Sequence, residues 1–457
     1  MWQYLLRRLA YVIPTLLVIS VIIFGLSKQT AGDPVLAQML DNDEHNASNS
    51  VSEDVYLSTA KNLGLDKPLF YFTLTSQAFP YDFYKIIKKD QRTASENLVK
   101  RYGNWIQIAA FHQGIKDNLS KLSLPDSLGF NNNLQQLLIQ DDNEKILFLL
   151  TQLNDKAHKT GVFKAEMTLL KQRYEVIINN STRSKLFIPA FYGYGFDNQY
   201  HQWIIHFFKG NFGVAKNGQS VSHKISIPLS ITLTMSLPAI FLAYLIGVPL
   251  GIFTAANRQK RAGKWAMKMI FALYSLPTFW IALMAIRFLT TPEFGLKIFP
   301  SAGLVNLNQT FSISNYLTAN VFRFILPVLC MIIHPIAYIA RLTKGAIVDN
   351  LSLDYVRTAR AKGLTEWKIL NQHVLKNALF PLITLLGTLF PMLISGSFVI
   401  EYVFNIKGMG RVALDAIGEQ DWQVVYTVLM LSAIFVLLGT LVSDILYKWA
   451  NPRVAIK

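Results

Sequence analysis

The sequence predicts an all-α polytopic membrane protein with six transmembrane helices and a mainly helical extracytoplasmic insert between helices 1 and 2. Of its 457 residues, 52% are hydrophobic and only 16% are charged, whereas soluble domains carry about 25% charged residues. Six runs of at least 17 residues lack Lys, Arg, Asp and Glu, and each is long enough to cross a bilayer as a helix. These runs are 9–27, 225–257, 269–286, 324–340, 377–400 and 422–443.

The first run, 9–27, directly follows Arg7 and Arg8, so a signal peptide is the alternative to a transmembrane helix. We favour the helix, because the run is long, no convincing small-residue cleavage site follows it, and five more runs come later. Residues 1–29 are therefore assigned to transmembrane helix 1. Residues 223–457 are assigned to a core that contains helices 2–6.

The loops between the runs differ in charge. Segment 258–268 carries five basic residues and no acid, and 341–376 carries seven basic and three acidic residues, whereas 401–421 has two basic and four acidic residues. Cytoplasmic loops carry an excess of Lys and Arg, so we expect both termini and the 341–376 segment on the cytoplasmic side. The net charge of +16 is then explained largely by topology, and no nucleic-acid partner is needed.

Residues 30–222 separate the first two helices and lie outside the cytoplasm in this topology. Within 72–197, stretches such as EKILFLLTQL and FKAEMTLLKQRYEVII carry apolar residues at spacings of three and four, a pattern typical of amphipathic helices. We therefore interpret 72–197 as an inserted, mainly helical domain. Long segments cross the membrane regardless of their charge, so its basic residues do not contradict this location.

The basic segment between the fourth and fifth runs predicts two helices separated by a turn. Ser352 is placed to cap the first helix, Gly363 to end it in the left-handed conformation, and Thr365 to cap the second. Leu364 and Trp367 add apolar side chains to this surface. Two interpretations have equal weight, namely docking in a groove of a soluble partner and lying on anionic lipid. A third interpretation, a DNA-binding helix-turn-helix next to the bilayer, is much less favoured.

The motif DYVRTARAKGL at 354–364, followed by HVLKNALFP at 373–381, resembles the EAA-type coupling loop of binding-protein-dependent ABC importer permeases. More narrowly, it is similar to the dipeptide/oligopeptide/nickel family, because AGDP, LGLDKPL, FFKGNFG, SLPTFW, GSFVIEYVF and SDILYKWANPR occur in the family's order. The N-terminal YLLRRLAYVIPTLLVISVIIF resembles the first of that family's two permease subunits. The resemblance covers 1–71 and about 198–457, and the insert 72–197 is not part of the usual pattern.

This resemblance implies a type I ABC importer-like core that forms half of a translocation pathway in the bacterial inner membrane. The implied partners are a second permease subunit, two ATPase subunits, an extracytoplasmic substrate-binding protein and membrane lipid. ATP and Mg would be bound by the ATPase subunits, so no cofactor is expected on this chain and the chain itself is not an enzyme. The implied cargo is di- or oligopeptides, and nickel chelates or other small solutes are the alternatives.

The family's coupling loop corresponds to residues 341–377. The coupling positions that the resemblance carries over onto this chain are Arg357, Thr358, Ala359, Gly363 and Leu364. Gly363 is the most informative of them, because a side chain there would strain the turn by roughly 1 kcal/mol or more. It would also obstruct the close approach of a partner.

Three residues near the end of the fifth run are candidates for the pathway or an outer gate: Glu401, Ser395 and Ser397. Glu401 matches a family glutamate, and an acid there could meet a peptide amino terminus, although an interfacial hydrogen-bonding role is commoner. His334, in the fourth run beside Pro335, is open to a ligand or proton-relay role. A buried histidine satisfied by a carbonyl is the commoner case.

Other classes of protein have weaker support. A secondary transporter would usually show buried acids or inverted repeats, and the six runs contain no acid. An intramembrane enzyme would need a nucleophile paired with a base, but no motif joins Ser275 or Ser395 to His334. No phosphate-binding loop or HExxH motif is present, and the single cysteine, Cys330, cannot form a Cys-based metal site. We therefore assign no catalytic or metal-binding residue.

Overall fold

A computed structural model of the chain describes residues 2–29, 35, 53–121, 130–161, 163–293, 295–304, 319–390 and 397–450. The chain forms two compact units. One consists of Met1–Thr30 and Gly210–Lys457, and the other is Ala31–Lys209. The narrower boundaries 72–197 for the insert, and those of the other predicted domains, stay predictions.

Helices account for most of the described residues, and two short strands, β1 (Phe72–Ser76) and β2 (Pro189–Gly193), pair antiparallel. In chain order the helices are α1 (Trp2–Gln29), α2 (Glu53–Asn62), α3 (Lys89–Tyr102), α4 (Trp105–Lys121), α5 (Phe130–Ile139), α6 (Asn143–Thr160), α7 (Lys164–Asn179), α8 (Gln199–Phe208), α9 (Val221–Ala256), α10 (Arg261–Ser275), α11 (Thr278–Leu289), α12 (Val321–Leu351), α13 (Asp354–Ala361), α14 (Glu366–Ile369), α15 (Leu375–Ala378), α16 (Phe380–Leu389), α17 (Phe398–Val403), α18 (Met409–Gly418) and α19 (Trp422–Ala450). A π-helix, Leu370–Val374, joins α14 to α15.

Among the described residues, α1, α9, α12 and α19 are long and apolar enough to cross a membrane, and α10 with α11 make a fifth candidate span. The fifth predicted run, 377–400, contains the apolar but short α16, and its residues 391–396 lie outside the described residues. The all-α membrane fold is therefore confirmed. The count of six spans stays a prediction.

The third predicted run, 269–286, is not one straight helix. Helices α10 and α11 meet at an angle of 94°, and the break falls at Leu276 and Pro277, both extended. Proline lacks an N–H and pushes the residue before it out of the helical region. The sequence SLPTFW therefore bends this run at its proline.

Small residues bring the membrane helices close together. Gly247 and Gly251, four residues apart on α9, face α12 so closely that a Cβ on Gly251 would lie 2.7 Å from the carbonyl oxygen of Ala340. On α16, a Cβ on Gly387 would lie 2.9 Å from the carbonyl oxygen of Gly439 on α19. Close backbone approach is the usual basis of helix association in membranes, and here it joins α9 to α12 and α16 to α19.

The unit Ala31–Lys209 has a core of its own. Helices α3 to α7 each contribute buried apolar side chains to one cluster, for example Leu98, Phe111, Leu134, Leu150 and Tyr174. The strand pair β1–β2 was not expected from the sequence. Helix α6 ends at Gly161, whose φ is 73°, and the space around that glycine is open among the described residues.

Candidate coupling surface and outer-end contacts

Helix α13 ends at a glycine in the left-handed conformation, as predicted. Gly363 has a φ of 78°. Its N–H donates to the carbonyl of Arg360 (2.9 Å), and the N–H of Leu364 donates to the carbonyl of Ala359 (3.3 Å). These are the two bonds of a Schellman motif, which satisfies the last carbonyls of a helix. The turn is therefore fixed by the backbone itself.

The second helix of the segment, α14, begins as predicted. Thr365 accepts the N–H of Lys368 (3.4 Å) and caps the helix. Glu366 stands in its first turn and forms an ion pair with Arg360 across the turn, at 2.7 Å between Oε1 and Nε and 3.3 Å between Oε2 and a terminal nitrogen. The hydrogen bond from Arg360 holds the pKa of the Glu366 carboxyl below its usual range. The pair thus ties α13 to α14.

The cap predicted at Ser352 is wrong. The residue before α13 is Leu353, and the hydroxyl of Ser352 instead donates backward to the carbonyl of Asp349 (2.6 Å). Because α12 continues to Leu351, Ser352 closes that helix and is not free to start the next one.

The apolar side of α13 is covered by the chain itself. Val356 and Ala359 are buried, and with the half-buried Leu364 they pack in one cluster with Ala255 at the end of α9 and Ile347 near the end of α12. Of the five predicted coupling positions, Ala359 and Leu364 therefore face the chain's own core. They hold α13 against two of the membrane helices.

The opposite side of the segment is exposed. Arg357, Thr358 and Gly363 all face solvent, and Trp367 is 65% exposed. Among the described residues, a Cβ added at Gly363 would meet no atom within 4 Å. We call Arg357, Thr358, Gly363 and Trp367 the coupling surface. Among the described residues this surface is open at Gly363, and Trp367 on α14 adds a large apolar side chain to it.

A polar network connects α13, which carries part of the coupling surface, to α12 and α15. The hydroxyl of Tyr355, on α13, donates to Asn350 Oδ1 on α12 (3.1 Å) and accepts from Asn377 Nδ2 on α15 (3.3 Å). The π-helix Leu370–Val374 lies between α14 and α15 and buries Leu370 and Val374 in the cluster that holds α13. The loop is therefore a packed, hydrogen-bonded element.

The candidate gate residue Glu401 is 0% exposed. Its Oε1 accepts the hydroxyl of Thr232 (3.0 Å), and its Oε2 accepts the N–H of Arg411 (2.9 Å). The carbonyl of Ser397 accepts the N–H of Glu401 (2.9 Å), whereas Ser395 lies outside the described residues. The pathway or gate role of these three residues stays a prediction, and Thr232 is a partner that no sequence pattern indicated.

His334, on α12, lies next to Tyr274 of α10 and Thr278 of α11. Its Nδ1 is 3.5 Å from the hydroxyl of Thr278, and its ring centroid is 5.8 Å from that of Tyr274. The partner is thus a hydroxyl group from the third span, where a carbonyl was expected. In the part of the chain that the structure describes, no group of three or more His, Cys, Asp or Glu side chains has the arrangement of a metal site.

The chain is similar to known transport proteins. The family model described as "Binding-protein-dependent transport system inner membrane component" matches residues 247–456. The oligopeptide transport system permease protein AppB of Bacillus subtilis is 33% identical over 258 residues, which cover 56% of this chain and 79% of that protein. The di/tripeptide transport system permease protein DppB of Pseudomonas aeruginosa is 34% identical over 269 residues, which cover 56% and 80%.

Among solved structures, the inward-facing MetNI methionine ABC transporter matches with a TM-score of 0.37 and 19% identity, over 49% of this chain and 94% of that chain. The sequence relatives, of which more than two thirds is covered, establish the family. The protein is thus a multi-pass inner-membrane protein. It belongs to the family of inner-membrane components of binding-protein-dependent transport systems, the ABC importer permeases, and the resemblance to its dipeptide/oligopeptide/nickel branch is confirmed.

Proposed function

We propose that this chain is the permease subunit of an ATP-driven importer of di- or oligopeptides and that it forms half of the translocation pathway. Support for the cargo comes from relatives that are named as permeases of oligopeptide and di/tripeptide transport systems. The other half of the pathway is a second permease subunit, and an extracytoplasmic binding protein delivers the peptide. Nickel chelates and other small solutes are the alternative cargoes.

The observation that carries the proposed mechanism is the turn at Gly363. It is exposed, fixed by two backbone hydrogen bonds, and linked through Tyr355 to α12 and α15. A displacement of this turn is transmitted to the membrane helices, because the loop is packed and hydrogen-bonded and therefore deforms little. Two ATPase subunits, which change shape as they bind and hydrolyse ATP, are the proposed source of that displacement, one of them docking on this chain's coupling surface.

We further infer that the coupling surface and both termini are cytoplasmic, on the side where ATP is available. The excess of Lys and Arg in 258–268 and 341–376 supports this orientation. ATP and Mg are proposed to bind to the ATPase subunits, while this chain contributes the docking surface and the pathway.

The docking proposal is tested by purifying the tagged chain in mild detergent with Gly363→Arg and, as a matched control, Gly161→Arg. Both glycines have a left-handed φ, 78° and 73°, and both face open space among the described residues. The two variants therefore carry a similar backbone strain, but only Gly363→Arg places a large side chain on the coupling surface.

We expect the ATPase to co-purify with the wild-type chain and with Gly161→Arg, and to be lost with Gly363→Arg. A wild-type chain that is well folded but recovered without any ATPase would contradict primary transport and favour a secondary transporter.

The cargo is tested separately. Uptake of labelled di- and oligopeptides into proteoliposomes is measured with nickel chelates as competitors. Uptake of a labelled nickel chelate by the same proteoliposomes, without uptake of the labelled peptides, would contradict the peptide assignment.

The insert 72–197 is proposed to contact the binding protein or to cover the pathway entrance, because the predicted topology places it on the delivery side. Deletion of 72–197 tests this proposal. The cut ends lie close together, since the N–H of Gln199 donates to the carbonyl of Pro68 (2.9 Å) and that of Tyr200 to Leu69 (3.2 Å), so a short Gly-Ser link closes the gap. Unchanged binding-protein-stimulated transport in a well-folded complex would exclude the role.

A further inference from the structure

Two of the first N–H groups of helix α18 are satisfied by side chains of other helices, Thr232 on α9 and Glu401 on α17. The hydroxyl of Thr232, on α9, accepts the N–H of Met409 (2.8 Å) and donates to Glu401 Oε1 (3.0 Å). The other carboxylate oxygen, Oε2, accepts the N–H of Arg411 (2.9 Å). The N-terminus of a helix carries partial positive charge and unpaired N–H groups, so a carboxylate is favoured there. Three segments, α9, α17 and α18, thus meet at one acid.

This contact leaves no free space. Thr232 and Glu401 are both 0% exposed. A Cβ added at Gly408 would lie 2.5 Å from Glu401 Cδ and 2.7 Å from the hydroxyl oxygen of Thr232. The φ of Gly408 is −92°, which any residue can adopt. The glycine is therefore required by the close approach of the turn to the two side chains, and not by its backbone conformation.

The other end of α18 is held to the same helix. Just beyond its last turn, Asp421 Oδ2 lies 2.8 Å from Lys224 Nζ on α9, and Asp421 is only 2% exposed. Lys224 and Thr232 are separated by about 12 Å of helix, close to the length of about 15 Å expected for α18. Helix α18 therefore lies antiparallel along the first turns of α9, with Ile225 and Ala416 buried in the cluster between them.

We propose that Thr232 and Glu401 are positioning residues that join α18 to the beginning of α9, so that the two helices move as one unit while the pathway opens and closes. The consequence for transport rests on the proposed importer function; the junction itself does not. Both oxygens of Glu401 are occupied by donors from within the chain, so its role is to position α18 and not to bind the cargo.

The test uses the complete importer, assembled with its partner subunits in lipid nanodiscs for the distance measurement and in proteoliposomes for uptake. Cys330, the only cysteine of this chain, is replaced by alanine, and spin labels are attached at Ile227→Cys on α9 and Leu414→Cys on α18, both exposed positions. The distance distribution between the labels is measured by pulsed electron paramagnetic resonance, with and without a non-hydrolysable ATP analogue. ATP hydrolysis by the same preparation shows that the complex cycles.

We expect one narrow distribution that is unchanged by the nucleotide. Thr232→Val, which keeps the shape but leaves the N–H of Met409 without its acceptor, should broaden it. The same variant should lower the maximal uptake rate about tenfold with little change in half-saturation, since it removes a buried hydrogen bond and no cargo contact. Thr232→Ser, which keeps the hydroxyl, should show the narrow distance distribution and the uptake rate of the wild type.

A wild-type distribution that shifts with the nucleotide would overturn the proposal, and this measurement does not depend on the folding of any variant. A Thr232→Val protein with the wild-type distribution and full uptake would overturn it as well. Failure of the proposed function has a different signature. A narrow, unchanging distance in a complex without ATP-driven uptake would remove the importer function and support the junction between α9 and α18.

Discussion

Two glycines, Gly363 and Gly408, mark turns in the unit formed by Met1–Thr30 and Gly210–Lys457, and the structure requires them for different reasons. Gly363 has a φ of 78°, and among the described residues nothing lies near the position of a Cβ. Gly408 has an ordinary φ of −92°, but a Cβ there would meet Glu401 and Thr232. The first turn needs a glycine for its conformation, and the second needs it for space.

The difference shows which turn is complete within the chain. At Gly408 the chain fills the space with two buried polar side chains and satisfies the N–H groups of α18. At Gly363 the backbone is satisfied, but the surface above it is open, with Trp367 exposed beside it. The turn at Gly408 is packed by the chain's own side chains and needs no partner. The rigid, exposed turn at Gly363 is suited to binding a partner protein.

The largest effect is expected from Gly408→Ala. The added methyl group must displace Glu401 or Thr232, which overpacks the site and weakens the hydrogen bonds to α18, at a cost of about 3 kcal/mol. Thermal unfolding is followed by reaction of the buried Cys330 with a thiol-specific dye. Gly418→Ala is the control, because it lies at the other end of α18 and, among the described residues, no atom lies within 4 Å of an added Cβ. Equal stability of the two variants would show that the site near Gly408 is not closed.

A smaller effect is expected from Gly363→Ala. No atom of the described residues obstructs the methyl group, so the cost is the strain of a left-handed alanine, about 1 kcal/mol. It should appear as faster hydrogen exchange in 354–369 only. Gly363→Asn should cost less, because asparagine tolerates this conformation. If both Gly363 variants exchange like the wild type, the turn is not held in the conformation described here.

The smallest effect concerns the exposed pair Arg360–Glu366, which lies beside the open turn. The folded-state pKa of Glu366 is lowered by the hydrogen bond from Arg360, so the pair stabilises the turn above the ordinary carboxyl pKa and loses this contribution as the pH falls through the lowered value. The gain is small and sensitive to salt, because both groups face solvent. Exchange in 354–369, corrected for intrinsic rates, is compared between pH 7 and pH 3.

In the wild type, residues 354–369 should be less protected from exchange at pH 3 than at pH 7. In Glu366→Gln this loss of protection should be absent. Protection that falls equally with acid in both proteins would assign the pH dependence to another group. The neighbouring pair Arg357–Asp354, at 3.4 Å and more exposed, is the first alternative.

The parts of the coupling loop that depend on near neighbours in the sequence could be predicted. Gly363 ends α13, and Thr365 caps α14, because both signals act within three to five residues. Ser352 was misassigned because its role depends on where α12 ends. Ala359 was expected at the surface, and its burial depends on Ala255 and Ile347, which are distant in the sequence.

The contact of Thr232 with Glu401 could not be predicted, because 169 residues separate them and a threonine in an apolar run has no distinctive pattern. The bend at Pro277 had a local signal, since proline kinks a helix, but the angle of 94° between α10 and α11 could not be derived from the sequence. Long-range polar contacts inside the membrane unit therefore need the structure, whereas turns and caps can be read from the sequence.

The π-helix Leu370–Val374 also has a mechanical consequence. Its i→i+5 bonding accommodates one residue more than an α-helix of the same length would. If this turn changed to α-helical bonding, α14 would rotate relative to α15 by about 100° and shift by about 1.5 Å. The turn between the coupling surface and the fifth run is thus the place where a change of helical bonding would alter the orientation of α14 relative to α15.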